Sequence, residues 1–277
     1  MTLRALRYPG GKISIAQWVI SHFPAHKGYV EPFGGGAGVL INKRPSKVEV
    51  YNDLSGDVVN FFRVLRDKDK GAELVRRLRL TPFSRDEYYG LYRLPDDADD
   101  IERARALYCR CYMGIGVRGA VRGASPTGFS GGNGNGEYNA YAKYFANCVD
   151  GLELVSQRLR AVVIENKDAM FMFDRYDGLE TLWYLDPPYN CKFNLKYTAG
   201  VDQEQLLKAV KELKGFCVVS GYMNDLYADE LNGWHVETLR SHNFDNRPVV
   251  ECLWLSPRTW EALQKRRRPT PLLELCR

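Results

Sequence analysis

Seven short apolar runs rich in β-branched and aromatic residues fall at 28–33, 47–52, 161–165, 181–185, 216–220, 235–239 and 249–255 of the 277-residue chain. Helical patterns separate several of them. Strands spaced by helices pair in parallel through crossovers, and the crossovers cover both faces of the resulting sheet. The clearest helix opens on Asp202 as N-cap, with Gln205 three residues on. It sets Leu206, Leu207, Val210 and Leu213 on one face and is expected to stop at Gly215. The pattern predicts an α/β chain built on a mostly parallel, doubly covered sheet.

The interval 67–160 breaks that rhythm and reads as an insert between the second and third strands. It begins with helical patterns, including 99–113, and then turns irregular: nine of the 23 residues from Gly114 to Gly136 are glycine. So long a glycine-rich segment within a domain is usually functional or disordered. Between Arg103 and Phe145 six basic residues (Arg103, Arg105, Arg110, Arg118, Arg122, Lys143) face one acid, Glu137, among seven aromatics (Tyr108, Tyr112, Phe129, Tyr138, Tyr141, Tyr144, Phe145). Cations suit phosphates and flat rings suit bases. A solvated helix face followed by a loop explains the same residues without a ligand, and the net charge of +5 is too small to decide.

Several classes are disfavoured. No run of 18 apolar residues is present, and 1–11 holds no apolar signal core, so a cytoplasmic protein with no membrane span is expected. The seven cysteines are scattered, with Cys109 and Cys111 the only close pair, and are expected as reduced, mostly buried thiols. His22, His26, His235 and His242 have no metal-like spacing, so no metal is expected. Gly10-Gly11-Lys12 is only a fragment of a phosphate-binding loop.

Two features carry chemistry. Glu31-Pro32-Phe33-Gly34-Gly35-Gly36-Ala37-Gly38 follows a strand, and its glycines permit a tight turn and close approach of a ligand to the backbone. Twenty residues beyond Phe33, Asp53 ends the next strand, where a Rossmann-like fold holds ribose hydroxyls. NAD, FAD and S-adenosylmethionine sites share this arrangement, although alternating glycines depart from G-x-G-x-x-G and favour a cofactor without a pyrophosphate. Further on, Leu182-Trp183-Tyr184-Leu185-Asp186-Pro187-Pro188-Tyr189 sets an acid and an aromatic at the C-terminal end of an apolar strand. The prolines stiffen the turn and remove two backbone donors. An adenine amino group whose hydrogens are accepted by the Asp186 carboxylate and the Pro187 carbonyl can pyramidalise, its lone pair aimed at a methyl sulfonium, while Tyr189 stacks on the extruded base. Ser220 reads as a wall of the same site, 241–248 as a loop over that edge, and 265–268 as a basic tail.

With these residues assembled, the chain resembles the Dam-like (D12 class) family of N6-adenine DNA methyltransferases. Arg7-Tyr8-Pro9-Gly10-Gly11-Lys12, the glycine motif, Tyr51-Asn52-Asp53 and the Asp186 motif follow the family's order. Asn166-Lys167-Asp168 and Tyr197-Thr198 are weaker matches. The resemblance covers roughly 1–66 and 160–255. It implies a Rossmann-like S-adenosylmethionine-dependent methyltransferase sheet, mostly parallel with one antiparallel strand. It also implies a helical and irregular inserted target-recognition domain at 67–160, between catalytic parts at 1–66 and 161–277. It implies that Tyr8, Lys12, Phe33, Gly34, Gly36, Asp53, Asp168 and Asp186 bind S-adenosylmethionine, and that Asp186, Pro187 and Tyr189 are catalytic. The partner implied is double-stranded DNA. Arg118, Arg122 and Tyr138 are candidates to touch it, but the glycine-rich segment has no clear counterpart of the family's DNA-reading hairpin, so no target sequence is read. Three rivals stand beside this reading: an N4-cytosine, RNA-base or glutamine methyltransferase, an inactive DNA-binding protein of the same fold, and an NAD oxidoreductase. Asp rather than Ser or Asn before Pro-Pro-Tyr favours adenine.

Overall fold

The first half of the chain, in the computed structural model, forms α1 (Ala16–Ser21), β1 (Gly28–Glu31), β2 (Val48–Asn52), α2 (Gly56–Arg66), α3 (Lys68–Leu80), α4 (Arg85–Gly90), α5 (Asp100–Met113), α6 (Ala140–Asp150) and α7 (Leu152–Leu159). The second half forms β3 (Val162–Glu165), α8 (Ala169–Tyr176), β4 (Thr181–Leu185), α9 (Gln203–Lys211), β5 (Phe216–Tyr222), α10 (Asp225–Glu230), β6 (His235–His242), β7 (Pro248–Leu255) and α11 (Pro257–Arg267). The structure describes residues 2–116, 125–131, 140–188, 202–242 and 247–267.

The strands form a seven-stranded sheet in the order β3-β2-β1-β4-β5-β7-β6. β1 to β5 pair in parallel, and β7 runs antiparallel between β5 and β6. This is the mostly parallel sheet that the residue pattern predicts, with the one antiparallel strand that the family resemblance implies. Strand order reverses between β1 and β4, and a crevice opens outside the C-terminal ends of strands at such a reversal.

Period-two alternation decides what each face buries. Val30, Val50, Trp183, Leu185, Cys217, Val219 and Trp254 point to one side, under Met172 and Phe173 of α8, Leu206, Leu207 and Val210 of α9, and Tyr227 of α10. Tyr29, Tyr51, Tyr184, Val218, Leu253 and Leu255 point to the other, under α1, α2 and α11. Each fully buried large side chain contributes roughly 1.5–3 kcal/mol.

Element ends differ from the sequence reading for local reasons. β1 stops at Glu31 because Pro32, which has no N–H, starts the turn. β6 and β7 run longer than expected because each supplies the other's partners, out to His242 opposite Pro248. Asp202 caps α9 through the Gln205 N–H at 3.0 Å. That helix ends at Lys211, four residues before Gly215, its last turn closed by the Glu212 N–H on the Ala209 carbonyl and the Leu213 N–H on the Val210 carbonyl.

Between β2 and β3 the helices share the sheet's core. Tyr108 stacks between Phe61 of α2 and Tyr112, and Phe145 of α6 packs on both tyrosines. This corrects the base-stacking option for Tyr108, Tyr112 and Phe145, which are buried. Arg105 is likewise spent on Glu87 and Glu102. A lone bridge from Gly114 to Phe129 joins two points of the glycine-rich segment. Arg118, Arg122, Tyr138 and Tyr189 lie outside the described residues.

Among the described residues, no helix is long and apolar enough to cross a membrane, and no His, Cys, Asp and Glu cluster is placed to hold a metal. Cys109, Cys111, Cys148, Cys217 and Cys252 are buried and unbridged.

Candidate active site

The β1 turn is shaped by the protein's own side chains. A Cβ on Gly34 would stand 2.1 Å from the Tyr51 ring, and one on Gly36 would stand 2.9 Å from the Leu6 carbonyl oxygen. The close approach that these glycines allow is therefore made by Tyr51 and Leu6, where the sequence suggested a ligand. The Tyr51 hydroxyl donates to the Gly35 carbonyl at 2.7 Å, and the Gly34 N–H donates to the Asn52 carbonyl at 2.8 Å. The buried Tyr8 ring lies beside Gly35.

Asp53, half-buried at the tip of β2, accepts from the N–H groups of Gly35 and Ser55, each at 2.8 Å. Burial pushes its carboxyl up, partly offset by those N–H groups. Asn52 binds three loops together, donating to the Pro32 and Lys167 carbonyls and accepting from the Lys167 N–H at 2.8–2.9 Å. Asn166 donates to the Asp53 carbonyl at 2.7 Å. The β1, β2 and β3 ends thus form one rigid ledge. Phe33 is half-buried on it, and Asp168 is exposed as the N-cap of α8, accepting from the Met170 N–H.

Asp186 follows the last residue of β4. The structure brings Lys12 to it: the ammonium lies 2.8 Å from Oδ1 and 2.9 Å from Oδ2 and also donates to the Gly10 carbonyl at 2.7 Å. Lys12 is 7% exposed. Burial works against its charge, but Asp186, with Tyr184 and Glu251, holds the ammonium above its ordinary value. Ser220 donates to Asp186 Oδ1 at 2.8 Å, so the residue read as a wall is a direct partner of the carboxylate. The two prolines differ. The Pro188 carbonyl accepts from Gln203 Nε2 at 2.9 Å, and Tyr227 in turn donates to Gln203 at 2.8 Å. Among the described residues no such donor reaches the Pro187 carbonyl. Two other acids continue the same sheet face: Glu31, to which the Tyr29 hydroxyl donates at 2.7 Å, and Glu251 on β7. Burial pushes the Glu31 carboxyl up to about 8.

Sequence reasoning missed the bonding roles of Ser220 and Gln203 and the place of Glu251 beside this edge. A charged residue inside the otherwise apolar 249–255 run was the one available signal for Glu251; Gln203 offered none.

The family model for D12 class N6 adenine-specific DNA methyltransferase matches residues 8–242. A DNA adenine methylase of Vibrio cholerae serotype O1 is 25% identical over 186 residues, 66% of this chain and 64% of that protein. The DNA N-6-adenine-methyltransferase of Escherichia phage P1 is 25% identical over 115 residues, 39% of this chain and 15% of the phage protein. The chain spans less than two thirds of the length of each. The match over residues 8–242 takes in the glycine turn, Asp53 and Asp186 alike, and the chain belongs to the D12 class N6 adenine-specific DNA methyltransferase family.

Proposed function

We propose that this chain methylates N6 of an adenine in double-stranded DNA with S-adenosylmethionine as donor. The observation that carries the reading is the Asp186 end of β4. A half-buried carboxylate and an adjacent carbonyl that no donor among the described residues reaches stand side by side at the sheet's reversal point, across from the glycine turn.

The residues of the ledge fit an adenosine-bearing donor. Asp53 offers a half-buried carboxylate suited to a ribose diol, Phe33 a flat face, and Asp168 an exposed acceptor at the next strand end. When bound, S-adenosylmethionine supplies an electrophilic methyl group. The chain's own part is to position and polarise the nucleophile. The Asp186 carboxylate and the Pro187 carbonyl accept the two amino hydrogens, drawing the nitrogen towards sp3 and freeing its lone pair. Asp186 also offsets the positive charge that develops on nitrogen and is the nearest acceptor for the proton released. Ser220 and Lys12 hold the carboxylate in place, as Gln203 does for the following turn. Tyr189 stacks on the extruded base. The 67–160 interval carries the duplex: Arg118, Arg122 and Tyr138 are its proposed contacts, joined by exposed Tyr141 and Lys143.

Nucleoside analysis of duplex DNA after incubation with the protein and the donor tests the reading. N6-methyladenine is expected. N4-methylcytosine as the sole product contradicts it, and failure to bind labelled donor removes the enzyme reading altogether.

A further inference from the structure

Glu251, like Glu31, is an acid of this edge that the mechanism leaves unused, and unlike Glu31 it has a buried oxygen with no partner among the described residues. It lies on β7 opposite Tyr222 of β5, and two residues earlier on β5 Ser220 faces Leu253. Ser220 is the residue that donates to Asp186. One two-residue repeat is about 6.8 Å, so Glu251 stands one step beyond the Asp186 level, on the same face of the sheet. The residue is 9% exposed, and among the described residues no hydrogen-bond partner reaches its buried Oε2. An uncompensated carboxylate oxygen is costly to bury. Burial pushes its carboxyl up, Lys12 pulls it down, and Asp186 pushes it up.

Lys12 poses a problem for the proposed chemistry. With its ammonium across both oxygens, Asp186 has its charge cancelled and most of its acceptor capacity filled, just where an amino group must bind and become cationic.

We infer that Glu251 is a positioning residue that takes over the Lys12 ammonium when the target amino group occupies Asp186. Its open oxygen is the vacant acceptor for that transfer of a hydrogen bond, and no proton changes owner. Asp186 thereby regains its charge for the developing ammonium. The inference rests on the N6-methylation reading.

The test is a double-mutant cycle of Glu251→Gln and Lys12→Met, read by single-turnover rate and by thermal midpoint. Glu251→Gln is expected to lower kcat roughly tenfold or more, with KM for DNA and donor within about twofold, and to leave the midpoint unchanged or higher. Lys12→Met leaves Glu251 buried and alone, so its midpoint falls. Adding Glu251→Gln restores part of that loss and costs no further rate. Additive effects on both readouts overturn the inference, as does a Glu251→Gln protein of full kcat. A wild type that makes no N6-methyladenine refutes the functional reading instead. Carboxyl 13C NMR then decides the Lys12–Glu251 coupling without turnover. Glu251 is expected to ionise at lower pH in the wild type than in Lys12→Met, and equal titration overturns the inference.

Discussion

Two lysine–carboxylate pairs, one buried and one partly so, sit at different levels of one sheet, and they are finished differently. Towards the start of β2, Glu49 is closed on every side. Lys43 reaches it at 2.5 Å, Arg158 of α7 bonds both oxygens at 2.6 and 2.8 Å, and the Ser46 N–H adds a fourth bond at 3.0 Å. The Lys43 ammonium is completed by Ser46 Oγ and the Arg44 carbonyl. Lys12 and Asp186 form the same kind of pair at the C-terminal edge, but beside a Pro187 carbonyl and a Glu251 oxygen that no donor among the described residues reaches. A closed cluster ties β2 to the helices that precede β3. An open one keeps polar capacity for a ligand, as functional sites do.

Exchanging the acids should separate the two roles most sharply. Asp186→Ala is expected to cut kcat by at least about 10²–10³-fold with the fold retained. Glu49→Ala leaves Lys43 and Arg158 uncompensated and should cost about 3–5 kcal/mol of stability, with kcat per folded molecule near wild type. Urea unfolding alongside methyl-transfer assays checks both. If each variant loses stability and rate alike, the contrast between the sites collapses.

Ser220→Ala removes one hydrogen bond to a charged group, worth about 1.5–3 kcal/mol, and should lower kcat roughly tenfold with little change in donor binding. A variant with unchanged kcat would return Ser220 to the role of a wall.

The smallest effect compares Glu31 with Glu49 through pH. Glu31 is held protonated in the fold, pushed up to about 8 by burial. The unfolded chain releases that proton near 4.5, so the Glu31 contribution is full below that pH and is lost as pH rises to about 8. Burial opposes the Glu49 charge, but Arg158 and Lys43 outweigh it and hold the carboxyl below its ordinary value. Its contribution is therefore present above the unfolded value and lost as pH falls through the folded one. Glu31→Gln should flatten the neutral limb by at most about 1.4 kcal/mol per pH unit and leave the acid limb alone. An unchanged neutral limb would show that Glu31 is ionised in the fold.

The seven strands were legible because burial on two faces writes long apolar runs, and Asp186 because prolines and an acid punctuate one of them. The partners of Asp186 were not. Lys12 is 174 residues away and Ser220 is 34, and only the strand order brings them together. Tyr108 and Tyr112 show the opposite limit: flat rings read equally as base platforms or as core until α2 and α6 are seen packed on them. The glycines were legible as a tight turn, but whether a ligand or Tyr51 fills the space beside Gly34 depends on register across the sheet.

Sequencing of modified bases in DNA from cells that express the wild type or Asp186→Ala tests the open edge most directly. The expected result is N6-methyladenine at a recurring sequence with the wild type and none above background with the variant. N6-methyladenine at equal levels with both, or with neither, would contradict it.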